Sequence, residues 1–560
     1  RLYTNYSNTI SHGNSLYTIK KGYLDSPKLI RIDVYGDEHF MTYMPHDVSD
    51  LHIHDGKLYW SEEKPDERWS MKSDSRIRYI DILEKKKYTV AENRKLLYNP
   101  SFSTSQMAAT RYFTEGGSAL YIDGETYMAP DSLQIVETAW IGDTVYATAI
   151  SDSGFGIYSF KEGEWNTILN PQPVKITDFK KAGKSLAFTC DRTSVNELYH
   201  LDPVSGELRQ KTSTKYGATD YSYSEDGKYL YFSSQTMMGK QLFRTPADSL
   251  FDRKVRFDSL YKYPLAERMR EQETEAARKQ GYEKSVTVKE DEVKLSKPER
   301  YRKVPHMIGL HSWAPVYVNV DRIMNMSFDH IWQAASLGAT GIFQNKLSTS
   351  TGEFGYSAHK DPYNPEVWRH SGHARITYTG LYPVLEAKVN VNDRAARQYN
   401  VNAYEMEKNS YMMEIASREL AAPYVEGVFS AYIPFNLSSG GWYRGFIPKV
   451  TYSINNDMFN TSAAVMGMET HYQLQEDGEL KGLMNASFRE STSGKNTFRH
   501  SLSGSLRGYT SLATPNSAVY PKWGIGAEIG ASASLESMQY LSPMGYFYTY
   551  GYVPGIMREH

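Results

Sequence analysis

The sequence predicts an all-β chain in two bodies: a six-bladed β-propeller followed by an antiparallel transmembrane β-barrel that is incomplete. Three observations predict it. A short strand closing on Asp recurs along the first half, and clean two-residue alternation of apolar and polar side chains fills the second. Tyrosine is heavily used, with 45 Tyr beside 21 Phe and 9 Trp, which suits half-buried sheets and interfacial surfaces better than helix bundles.

The repeat is sought first. Leu29 to Asp33, Ile77 to Asp81, Leu120 to Asp123 and Leu198 to Asp202 are full copies of the closing strand, and Ile157 to Phe160 and Leu242 to Thr245 are weaker ones. Their spacing averages about 42 residues, the length of one four-stranded blade. Six copies predict six blades over residues 1–250. Upstream of the closing strands a Gly turn feeds an apolar pair, as at Gly13 to Tyr17, Gly56 to Trp60, Gly142 to Tyr146 and Gly183 to Ala187. The sharpest copy, Tyr223 to Ser234, holds Asp226-Gly227, whose positive φ makes a tight hairpin turn. The third blade has Ser105 to Ala109 where this glycine is expected. An antiparallel sandwich would not need so constant a period.

Residues 251–305 shift to Lys, Glu and Arg. Leu265 to Gln280 are strong helix formers ended by Gly281, so a polar helix is expected. Lys284 to Lys303 has too few large apolar residues to fold alone and reads as a linker, either a spacer of defined length or a solvated tether.

From 306 to 560 the period is two. Leu385 to Asn392, Phe446 to Asn455, Met468 to Gln475, Met484 to Arg489 and Trp523 to Leu535 each place apolar and polar sets on opposite faces. Alternation alone does not separate a soluble sheet from a membrane barrel. About ten to twelve such segments follow one another without intervening helices, as in a meander of hairpins. Aromatics gather near strand ends, among them Tyr378, Tyr382, Tyr424, Trp442, Tyr443, Tyr546 and Tyr552. The polar face carries Lys388, Glu469, Arg489, Arg507 and Glu528, which are costly in a dry core and comfortable in a wet lumen.

On these residues the chain resembles known families. Tyr223 to Ser234 is similar to the TolB-type propeller repeat. His311 to Pro315, Tyr378 to Asn392 and Pro434 to Gly445 resemble outer-membrane surface-antigen barrels of the BamA type. The combination resembles Gram-negative proteins that join a TolB-like propeller to such a barrel. The resemblance implies more strands than 306–560 can supply. The start at Arg1 without a leader, and a last strand, Gly545 to Tyr552, without a following partner, also lead us to expect a fragment of a longer protein.

Composition excludes several functions. With 63 Lys+Arg against 65 Asp+Glu the net charge is −2, leaving no field to attract nucleic acid. A single cysteine, Cys190, excludes a disulfide framework and a Cys-ligated zinc ribbon. His52 and His54 share a strand face but lack a third ligand, and His370 and His373 read as a polar loop. Gly355-Tyr356-Ser357-Ala358-His359 lacks the second glycine of a nucleophile elbow. Gly338 to Gly341 and Gly524 to Gly530 enter no helix and so form no phosphate loop. No catalytic, cofactor or metal residue is named.

The expected function is therefore non-catalytic: an outer-membrane barrel embedded in lipid, with a periplasmic propeller that binds or guides a peptide, protein or envelope cargo. The alternative is a barrel-anchored envelope hydrolase whose catalytic domain lies upstream of residue 1. A third reading makes both halves soluble binding modules.

Overall fold

The computed structural model describes residues 3–91, 96–130, 133–257, 261–279, 299–319, 335–360, 366, 368–392, 425–455, 465–474, 480–489, 498–535 and 543–555. Six antiparallel sheets follow one another from Thr4 to Pro246. Blade one holds Thr4–His12, Ser15–Gly22, Lys28–Ile32 and Glu38–Tyr43, and blade two His52–His54, Lys57–Pro65, Ser73–Asp81 and Lys87–Ala91. Blade three is Leu97–Phe102, Met107–Tyr112, Ser118–Ile122 and Glu125–Met128. Blade four is Gln134–Ile141, Thr144–Ser151, Gly154–Lys161 and Glu164–Gln172. Blade five begins Ile176–Ala182, Ser185–Cys190, Glu197–Leu201 and Leu208–Gln210, and blade six has three strands, Thr219–Tyr223, Tyr229–Thr236 and Gly239–Pro246.

The first strand of each blade lies against the first strand of the next, and the sixth returns to the first. That contact closes a ring, the defining geometry of a six-bladed propeller. Backbone and side-chain bonds seal the joint: Thr4 N donates to Met238 O at 2.9 Å, Ser233 Oγ to Tyr6 O at 2.9 Å and Lys240 N to Asn5 Oδ1 at 2.8 Å.

The recurring Asp has a local cause. Asp81 Oδ1 accepts the amides of Leu83 and Glu84, and Asp202 Oδ1 those of Val204 and Ser205, so the carboxylate ends these closing strands in an Asx turn. In blade three, where the glycine is missing, Ser103 Oγ accepts the amides of Ser105 and Gln106 and turns the chain instead. Between blades the cores are dry: Leu29, Met44, Leu58, Trp60 and Ile80 pack between blades one and two, and Phe179, Phe188, Tyr199 and Leu201 around blade five.

The connector begins inside the propeller. Arg253–Lys254 adds a fifth strand to blade five, and Asp252 binds Arg209 Nε at 2.7 Å and Lys211 Nζ at 2.6 Å. The expected polar helix is Pro264–Lys279, with no buried residue. Most of the Lys/Glu-rich remainder, residues 280–298, lies outside the described residues.

The C-terminal half forms one antiparallel sheet of eleven strands. In spatial order these are Leu310–Ala314, Gly338–Gln344, Ser350–Lys360, Trp368–Tyr378, Val384–Val391, Val425–Tyr432, Trp442–Asn455, Arg499–Leu512, Gly524–Ser534 and Met544–Tyr552, with Phe435–Asn436 beside Trp442–Asn455. The first and last are free edges, so among the described residues the sheet does not close. Two predicted members are displaced. Val465–Leu474 and Leu480–Arg489 pair with each other, while Trp442–Asn455 bonds directly to Arg499–Leu512. Alternation reports an amphipathic strand and cannot tell which strand is its partner. Tyr424, placed in the expected aromatic girdle, lies outside the described residues.

Register puts like on like. Leu385, Ala431, Val450, Gly504 and Ala531 lie in one row, and Glu386, Ser430, Thr451, Ser503 and Ser532 in the next, pointing the other way. The apolar face is uncovered: Leu506 is 48% exposed, Val450 54% and Ile529 56%. The connections alternate too. One end carries the connections 345–349, 379–383, 433–441 and 513–523, and the opposite end carries 361–367 and 535–543 together with the much longer 392–424 and 456–498.

The propeller sits on the short-turn end. Arg68 of blade two donates to the carbonyl oxygens of Tyr382, Leu381 (3.1 Å) and Thr379 (3.4 Å), and Asn436 N donates to Glu67 O at 2.8 Å. From blade one, Tyr23 O accepts Ser517 N at 2.9 Å and Leu24 O accepts Lys522 Nζ at 3.3 Å. Gly441 has φ +82° and a Cβ there would lie 2.6 Å from Met44 O, so this close approach needs glycine. Where the sequence leaves the connector as either a spacer or a solvated tether, blades one and two touch the sheet directly.

Candidate functional site

The propeller's inner strands bring together side chains far apart in sequence. In every blade but the second the inner strand is interrupted by a register shift or bulge, and Asn8, Asn99, Asp178 and Asp220 adopt positive φ there, a conformation Asn and Asp tolerate better than other non-glycine residues. The bulges turn polar groups across the blade joints. Asp220 Oδ1 accepts Asn8 N at 2.7 Å, Asp178 Oδ2 accepts Asp220 N at 2.9 Å and Glu137 Oε2 accepts Phe179 N at 2.7 Å. Asn99 Nδ2 donates to Val136 O at 2.6 Å and Asn8 Nδ2 to Ser49 O at 2.8 Å. Backbone donors that the bulges free are thereby satisfied.

The same strands gather charge. Lys180 Nζ pairs with Asp50 Oδ2 at 3.2 Å and Lys240 Nζ with Asp220 Oδ2 at 2.8 Å. Lys180 also lies 5.5 Å from the centre of the Tyr221 ring. Four carboxylates, Asp50, Glu137, Asp178 and Asp220, face two ammonium groups, and no ion pair reaches Glu137 among the described residues. Among the described residues the Tyr221 hydroxyl has no hydrogen-bond partner, although the residue is only 2% exposed. Solvent still enters: the side chains of Lys180 and Asp50 remain 14% and 19% exposed.

Confinement shifts these groups. Burial, then the charges of Asp50 and Asp178, pushes Glu137 up to about 8, and burial with Asp50 and Asp220 pushes Asp178 up to about 7. Lys180 is raised despite burial, because Asp50, Asp178 and Asp220 surround it. Burial, then Lys180, takes His52 down to about 4, so it is neutral. On the face that carries the sheet, a cleft of about 410 Å³ opens between blades five and six, lined by Lys175, Asp191, Asn196, Tyr216 and Lys240. Lys240 links this cleft to Asp220 in the ring.

The other sequence candidates fall elsewhere. His54 stacks on Phe102 at 4.9 Å. His370 and His373 lie in the strand Trp368–Tyr378 rather than in a loop, because the alternation of their neighbours continues through them. His373 is buried on the polar face, its Nδ1 2.9 Å from Tyr317 Oη, and His370 Nδ1 is 2.7 Å from Tyr356 Oη. Ser357, Gly338 to Gly341 and Gly524 to Gly530 are all strand residues. Cys190 is buried, its thiol pushed up to about 12. No group of three His, Cys, Asp or Glu is placed to hold a metal ion among the described residues.

The inner ring was missed in the sequence, although a signal exists. Asn8, Asp50, Asn99, Glu137, Asp178 and Asp220 recur at about the blade period as polar residues in or just before the inner strand.

No protein-family model and no curated protein matches the chain. Among solved structures it is similar to TolB from Acinetobacter baumannii, with 13% identity and a TM-score of 0.31 over 45% of this chain and 68% of that one. It is similar to the β-propeller domain of the Trilobed protease from Pyrococcus furiosus, with 11% identity and a TM-score of 0.31 over 47% of this chain and 97% of that one. Acylaminoacyl peptidase from Pyrococcus horikoshii gives 11% identity and a TM-score of 0.32 over 48% of this chain and 54% of that one, so the match spans about half the peptidase. The six-bladed architecture rests on the closed ring of strands, not on these likenesses.

Proposed function

We propose that the chain is an outer-membrane β-barrel protein whose propeller binds or guides a peptide, protein or envelope cargo without covalent chemistry. One observation carries the reading. The uncovered face of the sheet is apolar across many strands, with Leu385, Phe429, Val450, Leu506 and Ile529 all exposed, while Glu386, Lys388, Arg507 and Glu528 share the opposite face. A water-facing sheet would carry these sets the other way round, whereas hydrocarbon outside and a wet lumen inside fit them.

The connections support a reading of the orientation. Outer-membrane barrels have short periplasmic turns and longer extracellular loops, and the propeller sits on the short-turn end. That favours a periplasmic propeller. Direct docking would keep cargo at the barrel mouth without relying on a tether's effective concentration. The test is envelope fractionation with a urea wash. The protein should stay in the outer-membrane pellet, and recovery in the soluble fraction would refute the reading.

A further inference from the structure

We propose that the inner ring of the propeller is a binding site for a primary ammonium group of a polypeptide, either an amino terminus or a lysine side chain. The inference rests on the propeller being the cargo-binding half of the protein, and it names the chemistry recognised there.

Partnering points to this ligand. Asp50 and Asp220 are paired with Lys180 and Lys240, whereas among the described residues no ion pair reaches the Glu137 carboxyl. Asp50, Glu137, Asp178 and Asp220 are not placed to converge on one metal ion, so a point cation is poorly served. An ammonium group carries three N–H donors and is recognised by oxygen acceptors at hydrogen-bond distance, which carboxylate and hydroxyl groups supply. A second, independent observation is the Tyr221 hydroxyl. It is buried and, among the described residues, without a partner, and it lies within electrostatic reach of Asp178, Asp50 and Glu137. A buried hydroxyl left unsatisfied costs about 1–3 kcal/mol, which a bound donor would offset. The cleft between blades five and six gives the rest of a peptide a place on the face that carries the sheet.

Protonation supports the assignment. Burial holds Glu137 and Asp178 partly protonated near neutrality, with Asp50, Asp220, Lys180, Lys240, His52 and Tyr221 facing them. An incoming ammonium favours their ionised forms, so its binding releases protons.

The test is calorimetry on the full chain in detergent micelles with four probes: triglycine amide, N-acetyl-Gly-Lys-Gly amide, N-acetyl-triglycine amide and calcium chloride. At least one of the first two should bind ten-fold or more tighter than the third, and which one does so separates a terminus from a lysine. Glu137→Gln should lower that affinity ten-fold or more. Tyr221→Phe, which keeps the ring packing, should lower it several-fold. Affinity should rise between pH 6 and 7.5. Equal binding of the acetylated probe, unchanged by either variant, would overturn the ammonium assignment and leave the cargo reading standing. Binding of calcium alone would also overturn it. Absence of any peptide binding would overturn both, while membrane fractionation tests the barrel separately.

Discussion

Val450→Arg separates hydrocarbon from water on the open face of the sheet. Val450 lies near the middle of the strand Trp442–Asn455, is 54% exposed, and pairs with Ala431 and Gly504 in an apolar row. If that row meets lipid, Arg at mid-depth costs about 2–4 kcal/mol, roughly a 30-fold to 700-fold loss in the folding equilibrium. If it meets water, an exposed Val→Arg change stays within about 0.5 kcal/mol. The neighbour Thr451 points to the polar face and pairs with Ser430 and Ser503, so Thr451→Arg is the control, expected within about 1 kcal/mol of the parent. Urea titration of the protein folded into phosphatidylcholine vesicles, followed by tryptophan fluorescence, reads both. Equal midpoints for the two variants would refute the reasoning.

Three further outcomes are expected. The Glu137 and Asp178 carboxyls are raised on folding, so the native propeller binds more protons than the unfolded chain. Their contribution is present at low pH and is lost as pH rises towards about 7 to 8. Propeller melting followed by near-ultraviolet circular dichroism should therefore occur at lower temperature at pH 8.5 than at pH 5.5, with a flatter dependence in Glu137→Gln, and an unchanged slope in that variant would contradict the assignment. Arg68→Ala removes charge-assisted bonds to three carbonyl groups of one sheet turn, worth about 1.5–3 kcal/mol each at most, and should loosen docking enough to speed proteolysis of the connector. Trp60→Ala, at a fully buried position between blades one and two, should cost about 3–5 kcal/mol in chemical denaturation of the propeller.

The architecture was legible where one residue type does one local job repeatedly. Asp at the close of a strand accepts the amides that follow it in blades one, two and five, and its recurrence at the blade period exposes the array. Alternation likewise revealed the two faces of the sheet, because a period of two fixes face without reference to partners. What it does not fix is pairing, which is why the hairpin Val465–Leu474 and Leu480–Arg489 could be read as two members of the sheet. The inner ring was harder for a different reason. Asp178 and Glu137 look like ordinary surface residues in sequence, and only closure of six blades turns them towards one another. Docking was illegible too, since it depends on carbonyl oxygens of turns meeting Arg68, and no side-chain pattern marks a backbone acceptor.

Depth-resolved labelling tests the barrel assignment most directly. Cys190 is buried and is the sole cysteine, so single nitroxides can be placed at Leu506 on the apolar face and at Ser505 beside it on the polar face. In lipid vesicles the account predicts that position 506 is relaxed by oxygen and shielded from a water-soluble nickel chelate, and that position 505 shows the reverse. Strong nickel access at 506 would contradict it.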